Sequence, residues 1–243
     1  MEGMVLIMQL KRSGQFFSSV EKGLRCAFPI VLGYVPIGMA YGVLAQQSGL
    51  GLFPTLGLSL IVFAGASQFM AVSMMQSGME MGAIIGTTFI VNFRHVLMSA
   101  SIAPYLASWK TWHRLLLGGM LTDETFVLHS LNFGSGDSSP VPAITLNSAA
   151  YITWATAGMA GYTLGAMITN PEAWGLDFAL PAMFAALLLS ACKNKMGAVA
   201  AVTGGTLSVW LHIMGVSNWA AFLGALAGAT IGVFFNEKVG EDS

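Results

Sequence analysis

The chain has 243 residues, of which 55% are hydrophobic and only 9% are charged. Soluble domains carry about 25% charged residues, and a globule of this size cannot hide so much apolar surface from water. The composition therefore excludes a water-soluble globule and predicts an all-α membrane protein, with room for seven or eight helices of about 20 residues each. The net charge of −1 and the scattered basic residues argue against nucleic acid as a partner.

The sequence predicts three segments: a cytoplasmic N-terminus with an interfacial helix over 1–25, a transmembrane domain over 26–236 and a polar tail over 237–243. The interfacial helix is predicted because Phe16, Phe17 and Leu24 share one helical face near charged residues. Lys11 and Arg12 follow the first apolar run instead of preceding it, which is not the order of a secretory signal. The start is therefore expected to stay on the mature chain.

Eight apolar stretches follow one another, at about 26–47, 52–77, 81–105, 113–131, 142–169, 176–192, 196–214 and 218–236. Basic residues in short loops mark the cytoplasmic side of a membrane protein. The basic residues around 11–25 and at 193–195 are therefore expected on that side, and eight full crossings satisfy this. The loop 106–114 carries two basic residues but would then lie outside. Either this loop is an exception or a neighbouring segment is re-entrant, for which 113–131 is the candidate.

Helix breaks are predicted at four positions: Pro29, Gly33, Pro36 and Pro181. A faint internal similarity accompanies them, because GLRCAFP at 23–29 and GLDFALP at 175–181 share glycine, leucine, alanine and proline in register. Two such copies in opposite orientations would form the inverted repeat that many transporters have. Chance similarity in so apolar a chain is the alternative.

The second apolar stretch contains VFAGASQF at 62–69, in which Gly65, Ala66 and Ser67 remove side-chain bulk and Gln68 adds an amide. Such a run allows the backbone to be approached closely or unwound, which frees N–H groups for a ligand. We therefore predict an interrupted helix within 63–69. Ordinary packing of small residues between helices is the alternative.

Charged residues in the third and fourth stretches are costly in lipid, at about 2.5–3.5 kcal/mol each near the bilayer centre. Asn92, Arg94 and His95 lie in one stretch, and Asp123 and Glu124 lie at a similar depth in the other. We predict that Arg94 pairs with one of the acids. Because neighbours on a helix point about 100° apart, only one acid is expected to be functional and the other to be structural. A purely structural ion pair is the alternative.

No cofactor, catalytic residue or metal site is expected. The clustered methionines suit Cu(I), but methionine is also a common apolar filler, and there are 16 throughout the chain. An intramembrane enzyme that uses His95 with an acid would need a serine or cysteine nucleophile motif or a pair of metal-binding histidines, and the sequence offers neither. The chain is therefore not expected to be an enzyme.

Four blocks carry a resemblance to a known family: FPIVLGYVPIGMAYG at 28–42, VFAGASQF at 62–69, NFRHVLMS at 92–99 and LTDETF at 121–126. In this order they resemble the AzlC family of branched-chain amino-acid permeases. The resemblance implies a multi-pass protein of the bacterial inner membrane that exports leucine, isoleucine, valine or analogues. It also implies a small membrane subunit of the AzlD type as partner, and coupling to protons. A transporter of another small solute or a non-transporting assembly subunit remains the alternative.

With such a substrate, the polar positions take roles as binding residues for a zwitterion. The expected substrate-binding residues are Gly65, Ala66, Ser67, Gln68, Asn92, Arg94 and Asp123, with Phe63, Phe69 and Phe126 lining the apolar part of the pocket. Amides near Gly65 or the Arg94 side chain would bind the carboxylate, and an acid would bind the ammonium group. His95, Asp123 and Glu124 are the expected proton-coupling residues.

Overall fold

All elements of the described residues are helical. The computed structural model describes residues 2–167 and 195–215, together with 178, 185, 188, 223, 224, 226–228 and 230–232. The helices are α1 (Glu2–Gln47), α2 (Leu52–Gly57), a π-helical turn (Leu58–Val62), α3 (Gly65–Gln76), α4 (Met81–Asn92), α5 (Arg94–Ile102), a 3-10 turn (Ala103–Leu106), α6 (Thr111–Gly119), α7 (Asp123–Gly134), α8 (Pro140–Gly165) and α9 (Lys195–Ile213).

Helices α1 and α8 lie against each other in parallel. A Cβ atom added to Gly23 would come within 2.5 Å of the Pro142 carbonyl oxygen, and one added to Gly42 within 2.0 Å of the Gly158 carbonyl oxygen. Residue numbers thus rise together along the two helices. Backbone contact this close needs glycine, and packing of small residues is what holds helices together in lipid. We name the two ends of this pair the Lys22 end and the Gln47 end.

The helix breaks predicted at Pro29, Gly33 and Pro36 are wrong, because α1 continues through all three as one helix. A proline inside a helix removes one N–H donor, but its φ is already close to the helical value. The close contact with α8 on either side supports the helix across this region. The break predicted at Pro181 lies outside the described residues.

The α6–α7 segment begins and ends at the Lys22 end. Lys22 forms an ion pair with Asp137 in the α7–α8 loop, and this hydrogen bond holds the pKa of Asp137 below its usual range. The Trp109 indole, just before α6, donates from Nε1 to the Ser138 carbonyl oxygen in the same loop at 2.8 Å. Helices α6 and α7 are therefore the two arms of a re-entrant hairpin, with its tip at 120–122.

This hairpin decides between the two predicted topologies. The candidate segment 113–131 is re-entrant, as one alternative required, and the basic loop 106–114 lies at the same end as Lys22. The basic loop 106–114 therefore no longer conflicts with the rule that basic loops share one side of the membrane. Arg114 of that loop donates from Nε to the Trp109 carbonyl oxygen at 3.0 Å, which fastens the start of α6.

Helices α4 and α5 cross from the Gln47 end to the Lys22 end. The Ser67 hydroxyl of α3 donates to Asn92 Oδ1 at the end of α4, 2.5 Å away. Further along, the Tyr105 ring lies 6.0 Å from the ring of Phe133, which is close to the Lys22 end of α7. The segment α4–α5 thus passes the α3 tip at Asn92 and reaches the Lys22 end at Tyr105. Its start, and the loop 77–80 before it, therefore lie towards the Gln47 end.

The α2–α3 segment is a second re-entrant hairpin, which opens towards the Gln47 end. The loop before it follows the end of α1, and the loop after it is 77–80, so both its ends lie at that end. Gln68 Nε2 donates to Ser59 Oγ across the two arms at 3.1 Å. The apolar stretch 52–77 is therefore not a full crossing, because the chain turns back at Phe63 and Ala64.

By length and apolar composition, two helical segments among the described residues are long enough to cross a membrane, Gly14–Gln47 and Met81–Leu106. Helix α8 has 26 residues, about 39 Å at 1.5 Å per residue, and it runs parallel to α1. Helices α3 and α7 have 12 residues each, about 18 Å, so each reaches only mid-depth. Residues 14–165 thus form an all-α membrane unit of three long helical segments, α1, α4–α5 and α8, and two shorter helical hairpins.

A crossing helix followed by a re-entrant hairpin occurs twice, in opposite orientations. In the first copy, α1 runs towards the Gln47 end and the α2–α3 hairpin returns there. In the second, α4–α5 runs towards the Lys22 end and the α6–α7 hairpin returns there. The inversion thus relates 14–76 to 81–134. The copy predicted at 175–181 has only residue 178 described, so that predicted repeat is outside the described residues.

The chain divides into two units, residues 1–179 and 180–243. Within the second unit, α9 again uses glycine for close packing. A Cβ atom added to Gly204 would lie 2.9 Å from the Gly224 carbonyl oxygen. The same device that joins α1 to α8 therefore operates inside this unit.

Candidate functional site

Three interruptions of regular α-helix lie close together in the first unit, and the one at Phe93, whose φ and ψ stay helical, is a local irregularity within the segment Met81–Leu106. They occur at Phe63–Ala64, at Phe93 and at 120–122, and polar residues follow each one. The depth is set by Tyr34, which lies twelve residues beyond Lys22, about 18 Å along α1. Polar groups in the middle of a membrane protein are therefore concentrated where backbone hydrogen bonding is interrupted.

The first break exposes the amino end of α3. Phe63 has φ 40° and ψ 49°, a left-handed conformation that is unusual for a bulky residue, and Ala64 is extended. Helix α3 starts at Gly65 with no side-chain cap, and the first amide to bond back is that of Gln68, to the Ala64 carbonyl oxygen at 2.9 Å. The interruption predicted within 63–69 is confirmed. It leaves the amides of the first turn without intrahelical acceptors.

Glycine at position 65 is required by Trp154 of α8. A Cβ atom there would lie 2.8 Å from Cη2 of the Trp154 indole. The indole Nε1 donates to Gln68 Oε1 at 2.9 Å, while Gln68 Nε2 donates to Ser59. The amide of Gln68 is fully buried and engaged at both ends, so in this structure it fastens the α2–α3 hairpin to α8.

The second break separates Asn92 from Arg94. The His95 ring nitrogen Nδ1 is 3.1 Å from the Asn92 carbonyl oxygen, so this side chain folds back over the break. Arg94 Nη2 forms an ion pair with Asp123 Oδ2 at 2.9 Å, and the two side chains are 29% and 28% exposed. The predicted pairing of Arg94 with an acid of the fourth stretch is confirmed. Arg94 Nε is buried and has no hydrogen-bond partner among the described residues.

The third break places both acids in the first turn of α7. Thr122 caps this helix, and its side chain and that of Thr125 form a reciprocal capping box. Acidic residues are favourable at this position because the helix dipole is positive there. Asp123 faces Arg94, whereas Glu124 Oε2 accepts a hydrogen bond of 2.7 Å from the Tyr34 hydroxyl. The two neighbouring acids thus have different partners, as their spacing predicted.

Tyr34 is a site residue that the sequence did not reveal. Its hydroxyl binds Glu124 and lies 2.8 Å from Thr122 Oγ1, and its ring contacts Trp154 edge-on with centroids 5.1 Å apart. These contacts therefore connect the α7 tip to Tyr34 of α1, Tyr34 to Trp154 of α8, and Trp154 to Gln68 of α3. No periodicity distinguishes Tyr34 or Trp154 from ordinary aromatic packing in a membrane helix.

The three predicted phenylalanines do not lie together. Phe63 packs on Tyr151 with ring centroids 4.8 Å apart, and Phe69 packs on Tyr41 with centroids 5.8 Å apart, so both belong to the aromatic shell around Gln68. Phe126 instead packs against a separate apolar cluster at the Lys22 end of the unit. Phe63 and Phe69 are themselves buried, at 4% and 1% exposure, so in this structure neither ring presents an open apolar surface beside the α3 tip.

The chemistry of the site follows from these partners. One guanidinium with a free Nε edge, two carboxylates and a set of unbonded amides lie within one layer. Arg94 and Asp123 neutralise each other, and their side chains stay partly exposed although Arg94 Nε itself is buried. Among the described residues no three histidine, cysteine or acidic side chains group as metal ligands.

Comparison with known proteins gives one family. A family model described as AzlC protein matches residues 29–168, which include all three breaks. The chain is 31% identical to an uncharacterized membrane protein of Archaeoglobus fulgidus, over 90% of this chain and 94% of that protein. It is 26% identical to the inner membrane protein YgaZ of Escherichia coli K12, over 88% of this chain and 91% of YgaZ.

A third relative has a named activity. The branched-chain amino acid transport protein AzlC of Bacillus subtilis is 24% identical over 82% of this chain and 78% of that protein. No solved structure matches the chain.

Proposed function

The chain belongs to the AzlC family, and from that premise we propose that it is a transporter that exports branched-chain amino acids or their analogues. The name of the Bacillus subtilis relative supports the substrate class. The observation that carries the proposal is the Arg94–Asp123 pair beside an uncapped helix end at mid-depth. A staple between helices would not need a partly exposed pair, and buried ion pairs are poor stabilisers.

The substrate binds as a zwitterion between the two hairpin tips. Its carboxylate accepts hydrogen bonds from the free Nε edge of Arg94 and from amides of the Gly65–Gln68 turn. Its ammonium group takes the place of Arg94 on Asp123. Asn92 lies next to Ser67 of this turn, and the branched side chain packs on Phe63 and Phe69, which requires these buried rings to open towards the substrate. This assignment uses an edge of Arg94 that is buried and has no partner among the described residues.

Transport is coupled to protons through His95, Asp123 and Glu124. Glu124 is well suited to this role because Tyr34 can donate to it in either protonation state of the acid. Glu124→Gln keeps an acceptor for Tyr34 but cannot titrate. Asp123→Asn, by contrast, removes the charge that binds the ammonium group.

The protein lies in the cell's inner membrane with its N-terminus in the cytoplasm, and a small AzlD-type subunit is its partner. The orientation is supported by the basic residues Lys22, Arg25, Lys110 and Arg114, which share one end of the unit. In this orientation, export runs from the Lys22 end to the Gln47 end.

The test is flux of labelled leucine, valine, methionine and alanine into everted membrane vesicles, with and without the partner subunit. We expect leucine and valine to be moved and alanine to be excluded. Movement of an unrelated solute alone would favour a different transporter on this scaffold, and no flux with or without the partner would favour an assembly subunit.

Variants then test the site. Asp123→Asn should abolish flux in folded protein, whereas Glu124→Gln should retain flux with a weaker dependence on pH. Glu80→Gln, in the exposed loop before α4, is the matched control and should behave as the unmodified chain. If both site variants keep the flux and pH dependence of the control, the cluster is only structural.

A further inference from the structure

A second polar network lies in the α6–α7 hairpin, apart from the candidate site. His129 is 1% exposed, and its Nε2 lies 2.7 Å from Asn147 Oδ1 of α8. Asn147 Nδ2 donates to the Leu117 carbonyl oxygen of α6 at 3.1 Å. The His129 ring also stacks on Phe133, with centroids 5.2 Å apart and an interplanar angle of 16°. A histidine this deeply buried in a membrane hairpin is costly without a purpose.

The bonds of Asn147 determine where His129 can take up a proton. Because Asn147 Nδ2 is held by the Leu117 carbonyl oxygen, the acceptor Oδ1 must face His129. His129 Nε2 therefore carries the hydrogen, and the lone pair of the neutral ring is on Nδ1. A proton added to Nδ1 leaves the bond to Asn147 intact. The network can thus hold His129 in both charge states.

A small cavity connects this histidine to the Lys22 end. It has a volume of about 10 Å³ and is lined by eleven residues, among them Lys22, Cys26, His129, Asn132, Asp137 and Ser139. A cavity of about this size holds one water molecule when it has polar partners. The Lys22–Asp137 pair at its wall is accessible, with side chains 55% and 34% exposed. Solvent protons therefore have a short route to the ring.

We propose that His129 is a proton-binding site of the transporter, filled from the Lys22 end through this cavity. The proposal rests on the proposed function and adds to it a proton site separate from the solute site. The titratable groups that face the cavity are Lys22 and Cys26 of α1 and Asp137 of the α7–α8 loop. From α8, the Asn147 amide bonds to the ring, and the Leu117 carbonyl of α6 bonds to that amide and not to the ring itself.

One feature favours the charged ring: Phe133 presents its face to it, and aromatic faces attract cations within about 6 Å. Asp137 lines the same cavity, but Lys22 is paired with it there. The charge acts on the solute site through α7, since Glu124 lies five residues before His129 on the same helix, about 8 Å away along its axis. Protonation at the Lys22 end is thereby communicated to the hairpin tip.

The test reads the ring directly, by nitrogen NMR of histidine-labelled protein in lipid nanodiscs between about pH 4.5 and 8.5. The chain has four histidines. The His129 signal is the one missing from His129→Gln, and if that variant does not fold, single substitutions of the other three assign it by elimination. We expect the Nε2–H form at high pH and proton uptake at Nδ1 within this range. A signal that stays neutral throughout would overturn the proposal.

Two variants separate a proton site from a structural histidine. Asn147→Asp keeps the shape of the side chain and adds a negative charge beside the ring, so the midpoint should rise by about one pH unit or more. His113→Gln, on α6 and outside the cavity wall, should leave it unchanged. An unchanged midpoint in Asn147→Asp would contradict the proposal. In vesicles, His129→Gln should flatten the pH dependence of flux, and if no amino acid is moved at all, the proposed function fails while the titration still stands.

Discussion

Alanine at Gly42 and alanine at Gly33 should have opposite effects on stability, although both residues lie in α1. A Cβ atom at Gly42 would lie 2.0 Å from the Gly158 carbonyl oxygen, more than an ångström inside ordinary contact. That oxygen belongs to the backbone and cannot rotate away, so α1 and α8 must separate. Overpacking costs about 1–3 kcal/mol, and we expect the upper end here. Gly33 has no atom within 4 Å, so alanine there should gain up to about 1 kcal/mol of helix propensity.

The assay heats purified protein in detergent and measures by size-exclusion chromatography the fraction that remains folded at each temperature. A loss of about 3 kcal/mol corresponds to a midpoint lower by roughly 6–12 °C for a chain of this size. Gly33→Ala should unfold at the midpoint of the unmodified chain or slightly above it. Equal midpoints for the two variants would refute the parallel α1–α8 contact from which the topology is derived.

Three further outcomes are expected. Trp154→Phe removes the indole donor and leaves Gln68 Oε1 buried without its bond, which should cost about 1–3 kcal/mol in thermal unfolding. Gln68→Leu in the same background should cost less than it does in the unmodified chain, because only the bond to Ser59 is then lost. Arg94→Gln and Asp123→Asn should each lower the yield of folded protein, and the double variant, which strands no charge, should recover part of that yield in the same chromatographic assay. The pKa of Asp137 is lowered in the folded chain, so the stabilisation from its ion pair is complete above the ordinary aspartate pKa of about 4 and is lost as the pH falls through the lowered value. The unfolding midpoint of Asp137→Asn should therefore depend less on pH in this acidic range.

The polar core of the candidate site was predictable because lipid makes such residues expensive. Arg94 and the two acids stood out against apolar neighbours, and their pairing follows from the cost of an isolated charge. Small residues at Gly65 and its neighbours similarly marked a break in the helix. The sequence therefore identified these polar residues and the break within 63–69 without any knowledge of the topology, but it gave no sign of the interruption at Phe93.

Topology was harder to predict because hydropathy measures length and polarity but not direction. The stretch 52–77 is long enough to cross a bilayer, and only the left-handed turn at Phe63 shows that it turns back. A phenylalanine carries no sequence mark of that conformation. The prolines led to the opposite error. Pro29 and Pro36 predict helix breaks, yet α1 continues through both and packs against α8 on either side of them.

Residues that act through tertiary contacts were missed. Tyr34 and Trp154 are ordinary for membrane helices, and their roles appear only when α1 and α8 are brought beside the hairpin tips. His129 and Asn147 could have been noticed, since each is polar within an apolar stretch. Their separation by eighteen residues gave no helical spacing that would link them, and the hairpin fold supplies the contact.

The two hairpin tips are related by inversion but are chemically opposite, and this difference bears on the substrate. At the α3 tip, the helix starts without a side-chain cap and with neutral residues, so it offers unbonded amides and the positive end of a dipole. At the α7 tip, Thr122 caps the helix and Asp123 and Glu124 already satisfy that positive end, so the tip presents carboxylates. One tip therefore favours an anionic group and the other a cationic group. A solute that carries an ammonium and a carboxylate on the same carbon can contact both tips, whereas a simple anion or cation can contact only one. A binding assay that compares leucine with its amide and with its deaminated acid checks this argument, because comparable affinity for all three would contradict it.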